Sequence, residues 1–141
     1  MIIYFCGSIA GGRQYLETYI KMVRHLQSLG HSVPTEHIIE PNVLDSEKAL
    51  TAQLIYERDV EWLRGADAVI AEISNPSLGV GYEIAYALQH GKPVLALYAK
   101  SLFVSRMITG NSDPLLRVRE YAADAEWRRE MDSFLAMTLQ R

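Results

Sequence analysis

Ala68-Val69-Ile70-Ala71-Glu72-Ile73, carried through Ser74-Asn75-Pro76 into Ser77-Leu78-Gly79-Val80-Gly81-Tyr82-Glu83, is the stretch that decides the fold. The first six residues are an apolar run bounded by charge and turn residues, the pattern of a short buried strand. Ile84-Ala85-Tyr86-Ala87-Leu88 is helical in composition and stops near Gly91-Lys92-Pro93. A strand that hands over to a helix through a glycine-rich turn is half of a βαβ unit. In open α/β sheets, ligands sit at the carboxyl ends of the strands, against helix N-termini. Glu83 is expected at the start of its helix. There it either complements the helix dipole or lines the mouth of a pocket.

The same alternation extends outward from this unit. Ile2 to Cys6 reads as a first strand, and Gly7-Ser8-Ile9-Ala10-Gly11-Gly12 as a loop. Arg13 to Leu29 reads as an amphipathic helix, with Tyr19, Met22, Val23, Leu26 and Leu29 at helical spacing and Gly30 closing it. A short strand is expected over Ser32 to Thr35, a polar connection over Glu36 to Asp45, and one helix over Ser46 to Arg64. After the central unit come a strand over Pro93 to Tyr98, a short helix over Leu102 to Thr109 and a fifth strand over Arg117 to Tyr121. A last helix is capped by Asp124 and runs through Leu139. The expected architecture is α/β. It is a doubly wound, five-stranded parallel sheet with helices on both faces, flavodoxin-like or Rossmann-like.

The chain of 141 residues fits one domain, expected over 1–141. Hydrophobic residues make up 49% and charged residues 22%, the balance of a folded globular domain. A net charge of −3 with no basic cluster gives no footprint for a nucleic acid polymer. Cys6 is the single cysteine, which excludes an intrachain disulfide and a thiolate metal cage. His25, His31, His37 and His90 lack ligand-like spacing, so no metal is expected. The apolar runs are too short to span a bilayer, and Met1-Ile2-Ile3-Tyr4-Phe5 passes straight into a strand. A cytoplasmic address with no membrane partner is the expectation.

Several residue types carry chemistry. Glycines in the loop Gly7 to Gly12 let backbone N–H groups approach an anion; Ser8 adds a hydroxyl and Arg13 a fork of donors. The same glycines also suit a plain tight turn. The loop is neither G-x-G-x-x-G nor a Walker loop. Asp59 lies four residues after Ile55 and three and four before Trp62 and Leu63, so it shares their helix face. A carboxylate pressed toward a sheet has a raised pKa and can hold a proton at neutral pH, whereas one at the edge of the stripe simply reaches water. Tyr4 is either core or a hydroxyl directed at Glu83 across the top of the sheet. His37, just past the second strand, is either a pocket residue or a solvated one. Ser105 by itself reads as a surface serine.

Taken together, Tyr4-Phe5-Cys6-Gly7-Ser8-Ile9, Gly11-Gly12-Arg13, Thr35-Glu36-His37, Asp59 with Trp62-Leu63, Ala71-Glu72, Pro76 to Glu83, Gly91-Lys92-Pro93 and Met107-Ile108 resemble the 2'-deoxynucleoside 5'-monophosphate N-glycosidases. These belong to the wider nucleoside 2-deoxyribosyltransferase family. The likeness covers nearly the whole chain, and Ser77 to Glu83 is its most specific block. It implies that Glu83 is a nucleophile attacking the anomeric carbon of deoxyribose, that Asp59 assists departure of the base, and that Tyr4 orients Glu83. It further implies a substrate-binding set of Gly7, Ser8, Ile9, Ala10, Gly11, Gly12, Arg13, His37, Ser77 and Gly79, joined by Ser105, Arg106 and Met107. Ser105 would come from the second subunit of a homodimer. Apolar residues around Tyr56, Trp62 and Tyr86 are either candidates for the contact between subunits or simply core. No cofactor is implied.

Position 77 separates two branches of that family. In transferases acting on free nucleosides, an aspartate stands six residues before the nucleophile. A carboxylate there repels a phosphate dianion, whereas Ser77 donates to it. Ser77 therefore points to a deoxynucleoside monophosphate. The hydrolases carry an arginine where this chain has Ala10, a departure that bears on ligand affinity or base preference. Two other readings share the fold: a deoxyribosyltransferase passing the sugar to a second base, and a nucleotide-binding module without catalysis. A flavodoxin-like electron carrier is a further alternative on fold alone.

Overall fold

A computed structural model describes residues 1–140 of the chain. Four strands form one parallel sheet: β1 (Ile3–Cys6), β2 (Ala68–Glu72), β3 (Val94–Ala99) and β4 (Leu116–Tyr121), adjacent in that order. Tyr4 pairs with Val69, Val69 with Val94, and Val94 with Leu116. Six α-helices surround the sheet: α1 (Leu16–Ser28), α2 (Val43–Lys48), α3 (Ala52–Gly65), α4 (Leu78–Gln89), α5 (Arg106–Thr109) and α6 (Asp124–Thr138). Among the described residues, no helix is long and apolar enough to cross a membrane.

The second strand expected over Ser32 to Thr35 is absent as a strand, so the sheet has four strands and not the expected five. Only Ser32 bridges to Ile2, in parallel. Pro34 has no N–H to give to a ladder, which ends pairing there. The hydroxyl of Thr35 takes the place of that pairing: it accepts the Phe5 N–H at 3.0 Å and donates to the Phe5 carbonyl at 2.6 Å. The chain then enters a 3-10 turn at Glu36–Ile39. The helix expected over Ser46 to Arg64 is two helices. Thr51 is extended and its side chain accepts the Leu54 N–H at 3.2 Å, so it caps a new helix instead of continuing the old one. The last helix is capped at Ala123. Asp124 is its first residue, accepting the Trp127 indole N–H at 3.1 Å and pairing with Lys21 at 3.0 Å.

Strand alternation sorts the core into two layers. Ile3 and Phe5 face α1 and α6, where Tyr19, Met22, Leu26, Trp127 and Met131 are fully buried. Tyr4 and Cys6 face the opposite way, into a layer with Leu63 of α3 and Val80, Ile84 and Ala87 of α4. Both faces of the sheet are covered at β1, β2 and β3, which explains why these strands are almost wholly apolar, whereas the edge strand β4 carries Arg117, Arg119 and Glu120. From β1 the chain goes outward through α1 to the Ser32 bridge, then returns through α3 to β2 on β1's other side. The carboxyl ends of β1 and β2 therefore flank the point where the winding reverses, the usual place for a ligand crevice in such sheets.

Candidate active site

Glu83 does not begin its helix. Ser77 caps α4, its Oγ accepting the Val80 N–H at 3.3 Å, and Leu78 is the first helical residue. Glu83 is thus the sixth residue of α4, beyond the reach of a dipole effect that fades after the first turn. It turns toward β1, where the Tyr4 hydroxyl donates to its Oε1 at 2.6 Å. Strand alternation makes this contact, because it points Tyr4 into the layer that holds α4.

Burial pushes the Glu83 carboxyl up to about 7, against the Tyr4 hydrogen bond, which favours the ionised form, while the nearby Asp59 charge adds to the rise. The Tyr4 phenol is driven far above its ordinary range by burial and by Glu83, so it serves as a donor only. Cys6 behaves likewise: burial and then Glu83 hold its thiol protonated. Asp59, on α3, is partly buried. Its pKa is raised by desolvation, opposed by Arg58. Tyr4, Cys6, Gly7, Ile9, His37, Arg58, Asp59 and Glu83 line one small cavity of about 40 Å³. Two carboxyl groups whose ionised forms are both disfavoured, one of them hydrogen-bonded to a phenol, can divide the roles of nucleophile and proton donor.

The loop after β1 is built for close approach. A Cβ on Gly7 would lie 2.7 Å from the Tyr19 ring, and one on Gly11 would lie 2.6 Å from the Pro76 carbonyl oxygen. Gly12 has φ +123°, a conformation that side chains rarely adopt. Ser8 is fully buried, and its N–H donates to the Tyr19 hydroxyl at 3.1 Å. Asn75 staples this loop to the one after β2. Its amide donates to Ser8 Oγ at 3.1 Å and to the carbonyls of Gly11 at 2.9 Å and Gly12 at 3.1 Å. With that lone pair on Ser8 taken, the Ser8 hydroxyl proton is left to donate elsewhere.

Arg13 braces the loop instead of facing open space. Its guanidinium donates to the carbonyls of Ser8 at 3.3 Å, Glu40 at 3.3 Å and Ile38. Ala10 is exposed at the loop's tip. His37 lies 3.5 Å from Glu47, with its ring 5.6 Å from that of Trp62; burial and Arg58 lower its pKa, keeping it neutral at pH 7.

Ser105 caps α5 by accepting the Met107 N–H at 3.3 Å. Ser77, Ser105 and Met107 line a second, mainly apolar groove of about 560 Å³ between α4 and α5. Gly79 sits in the first turn of α4. Arg106 stands apart, its guanidinium 5.5 Å over the Phe103 ring. The structure thus gathers Tyr4, Asp59, Glu83 and His37 around one cavity and puts Ser77 and Ser105 on another.

Residues that the sequence reading passed over also belong here. Asn75 joins the two loops, and Arg58 donates to Asp59 through Nε at 2.9 Å, with Nη2 in ion-pair contact at 2.8 Å. Trp62 is half-buried and forms pocket wall under Arg58, 4.9 Å from the guanidinium carbon. The asparagine's place between strand end and helix cap was a usable signal. Arg58 gave none, because adjacent helix positions do not ordinarily face each other.

The profile of the nucleoside 2-deoxyribosyltransferase family matches residues 3–115. A 5-hydroxymethyl-dUMP N-hydrolase of Tetraodon nigroviridis is 45% identical over 130 residues, covering 88% of this chain and 90% of its own length. A Methanosarcina barkeri protein provisionally named 2'-deoxynucleoside 5'-phosphate N-hydrolase 1 is 42% identical over 133 residues, covering 94% and 84%. Among solved structures, the CMP N-glycosidase of Clostridium botulinum superposes with a TM-score of 0.72 at 18% identity, over 95% of this chain and 99% of that one, a likeness of fold. With the family profile spanning most of its length and full-length relatives above 40% identity, the chain belongs to the nucleoside 2-deoxyribosyltransferase family.

Proposed function

We propose that this protein hydrolyses the N-glycosidic bond of 2'-deoxynucleoside 5'-monophosphates, giving free base and 2-deoxyribose 5-phosphate. The observation that carries the reading is the Tyr4–Glu83 hydrogen bond at 2.6 Å beside Asp59, in a cavity at the reversal of the sheet. Relatives that share over 40% of its residues are named for this chemistry. The ionised Glu83 oxygen forms a bond to C1' as the C1'–N bond breaks, and the electron pair leaves with the base. Asp59 hands its proton to that base or hydrogen-bonds to it. Water then adds at C1', freeing Glu83 and returning a proton to Asp59. Tyr4 keeps Glu83 oriented and partly ionised against the pull of burial.

The 5'-phosphate is assigned to Ser8, Ser77 and the amides of the loop from Gly7 to Gly12, with Arg13 holding that loop in shape. Gly79 leaves the first turn of α4 unobstructed, and Ile9, Ala10 and His37 border the sugar and base. Ser105, Arg106 and Met107 complete the site from a second copy of the chain. Leu78, Phe103 and Met107 are 97%, 82% and 83% exposed beside the α4–α5 groove, apolar surface suited to such a contact.

The test is chromatography of the purified protein incubated with a panel of deoxynucleoside monophosphates, ribonucleoside monophosphates and free nucleosides. Base release from the deoxynucleotides, far faster than from nucleosides, is the expected result. Equal rates for nucleoside and nucleotide would remove the phosphate argument, and no release from any substrate would remove the reaction.

A further inference from the structure

Arg58 sits between two cavities. It lines the small one that holds Glu83 and Asp59, and also an outer groove of about 510 Å³ bordered by Glu47, Leu50 and Trp62. Its Nε donates to Asp59 Oδ1 at 2.9 Å, and Nη2 stands in ion-pair contact with the same oxygen at 2.8 Å. A guanidinium facing a free carboxylate ordinarily spreads over both oxygens. Here Nη2 also reaches Glu47 Oε1 at 2.8 Å, and the guanidinium lies 4.9 Å over the Trp62 ring. Glu47 and Trp62 thus anchor the fork from behind and fix its angle. Among the described residues, Asp59 Oδ2 receives no hydrogen bond.

We propose that Arg58 is a positioning residue that aims Asp59 at the departing base, holding Oδ1 so that Oδ2 alone carries and delivers the proton. The proposal rests on the N-glycosidase reading and deepens it. An Asp59 without this anchor is free to turn about its side-chain torsions and to present either oxygen. The anchor has a second consequence. A cation beside the carboxyl favours the ionised form, so Arg58 makes Asp59 a stronger acid than burial alone would leave it. It thereby sets the pH above which the proton is gone. Glu47 of α2 and His37 of the 3-10 turn also face this carboxyl, and across the cavity stand Tyr4 and Cys6 of β1 and Glu83 of α4.

The experiment compares the full-length wild type with Arg58→Gln, Arg58→Lys and Glu47→Gln in two readouts. The first is the carbon-13 NMR titration of the Asp59 carboxyl, assigned by its loss in Asp59→Asn. The second is kcat/KM for base release from a deoxynucleoside monophosphate against pH. In Arg58→Gln the Asp59 midpoint moves up by about one pH unit, and the falling limb of the rate profile moves with it. At the optimum, kcat falls about tenfold for an ordinary base and less for one that leaves easily, while KM stays within about twofold. Arg58→Lys moves the midpoint less. Glu47→Gln removes a neighbouring negative charge and moves it down. If Arg58→Gln is folded and leaves both midpoint and limb in place, Arg58 is only a helix brace and the proposal is overturned. Should Arg58→Gln fail to fold, an unchanged midpoint in both other variants overturns it equally. A wild type that releases no base refutes the reaction, and the NMR titration still decides the pairing.

Discussion

Replacing Tyr4 by Phe removes one atom from the core of the site and tests the logic of the pair. The lost bond is a 2.6 Å donation to a carboxylate that burial has already raised to about 7. Hydrogen bonds to charged groups contribute about 1.5–3 kcal/mol. At 1.36 kcal/mol per unit, that loss lifts the Glu83 midpoint by about one to two units. At pH 7 the ionised fraction falls from about one half to between about one tenth and one hundredth, and kcat/KM falls about 5- to 50-fold. The assay is the initial rate of base release from a deoxynucleoside monophosphate between roughly pH 5 and pH 10. The rising limb of kcat/KM moves to higher pH. A limb that stays at its wild-type position under a lowered plateau would refute the reasoning, since Tyr4 would then be aligning Glu83 without changing its ionisation.

Glu83→Gln abolishes base release and, at alkaline pH, stabilises the fold. The native carboxyl keeps its proton up to about pH 7, whereas the unfolded chain loses it near 4.5. Its stabilising share is therefore complete below pH 4.5 and is lost as pH rises through 7. Calorimetry at pH 8 should show a gain of about 1–3 kcal/mol, several degrees in Tm, that vanishes at pH 4; a gain equal at both pH values contradicts this. Ser77→Asp keeps a good helix cap but places a carboxylate at the phosphate, so nucleotide activity falls at least about tenfold while nucleosides are spared, as competition kinetics would reveal. Asn75→Ala frees the two loops from each other, raising KM for nucleotides about tenfold with little change in kcat; a pure loss of kcat would place Asn75 elsewhere in the reaction. Glu83→Ala mixed with Ser105→Arg, each inactive alone, regains one working site per exchanged dimer; no recovery despite proven exchange rules out a shared site.

The buried strands were legible because their residues are apolar on both faces, and the Ser77-to-Glu83 block gave the turn between strand and helix. The contact between Tyr4 and Glu83 was one of the two readings open for Tyr4, and alternation within β1 decides for it by turning Tyr4 toward α4. The second strand was not legible, because its fate depended on Pro34 withholding one hydrogen and the Thr35 side chain replacing a ladder. The break at Thr51 hid within a stretch of good helix formers, where a capping side chain competed successfully with helix continuation. Glu83 was placed a turn too early, since Ser77 starts the helix ahead of the glycines. Arg58 and Trp62 became site residues only through folding, when the short α2 brought Glu47 against them.

The bond between Tyr4 and Glu83 joins positions 79 apart in the chain, across strands that pair only in parallel. Neither local helix formation nor a hairpin can bring the two together; the loop between them must close over α1, the Ser32 bridge and α3 first. The reactive carboxylate is therefore a product of long-range topology and not of α4 alone. A proteolytic fragment or a partly folded chain, even one with α4 intact, carries an untuned glutamate of ordinary acidity. Nucleotide cleavage then reports on folding of the whole molecule, and activity should disappear along a denaturation curve together with the sheet, not ahead of it.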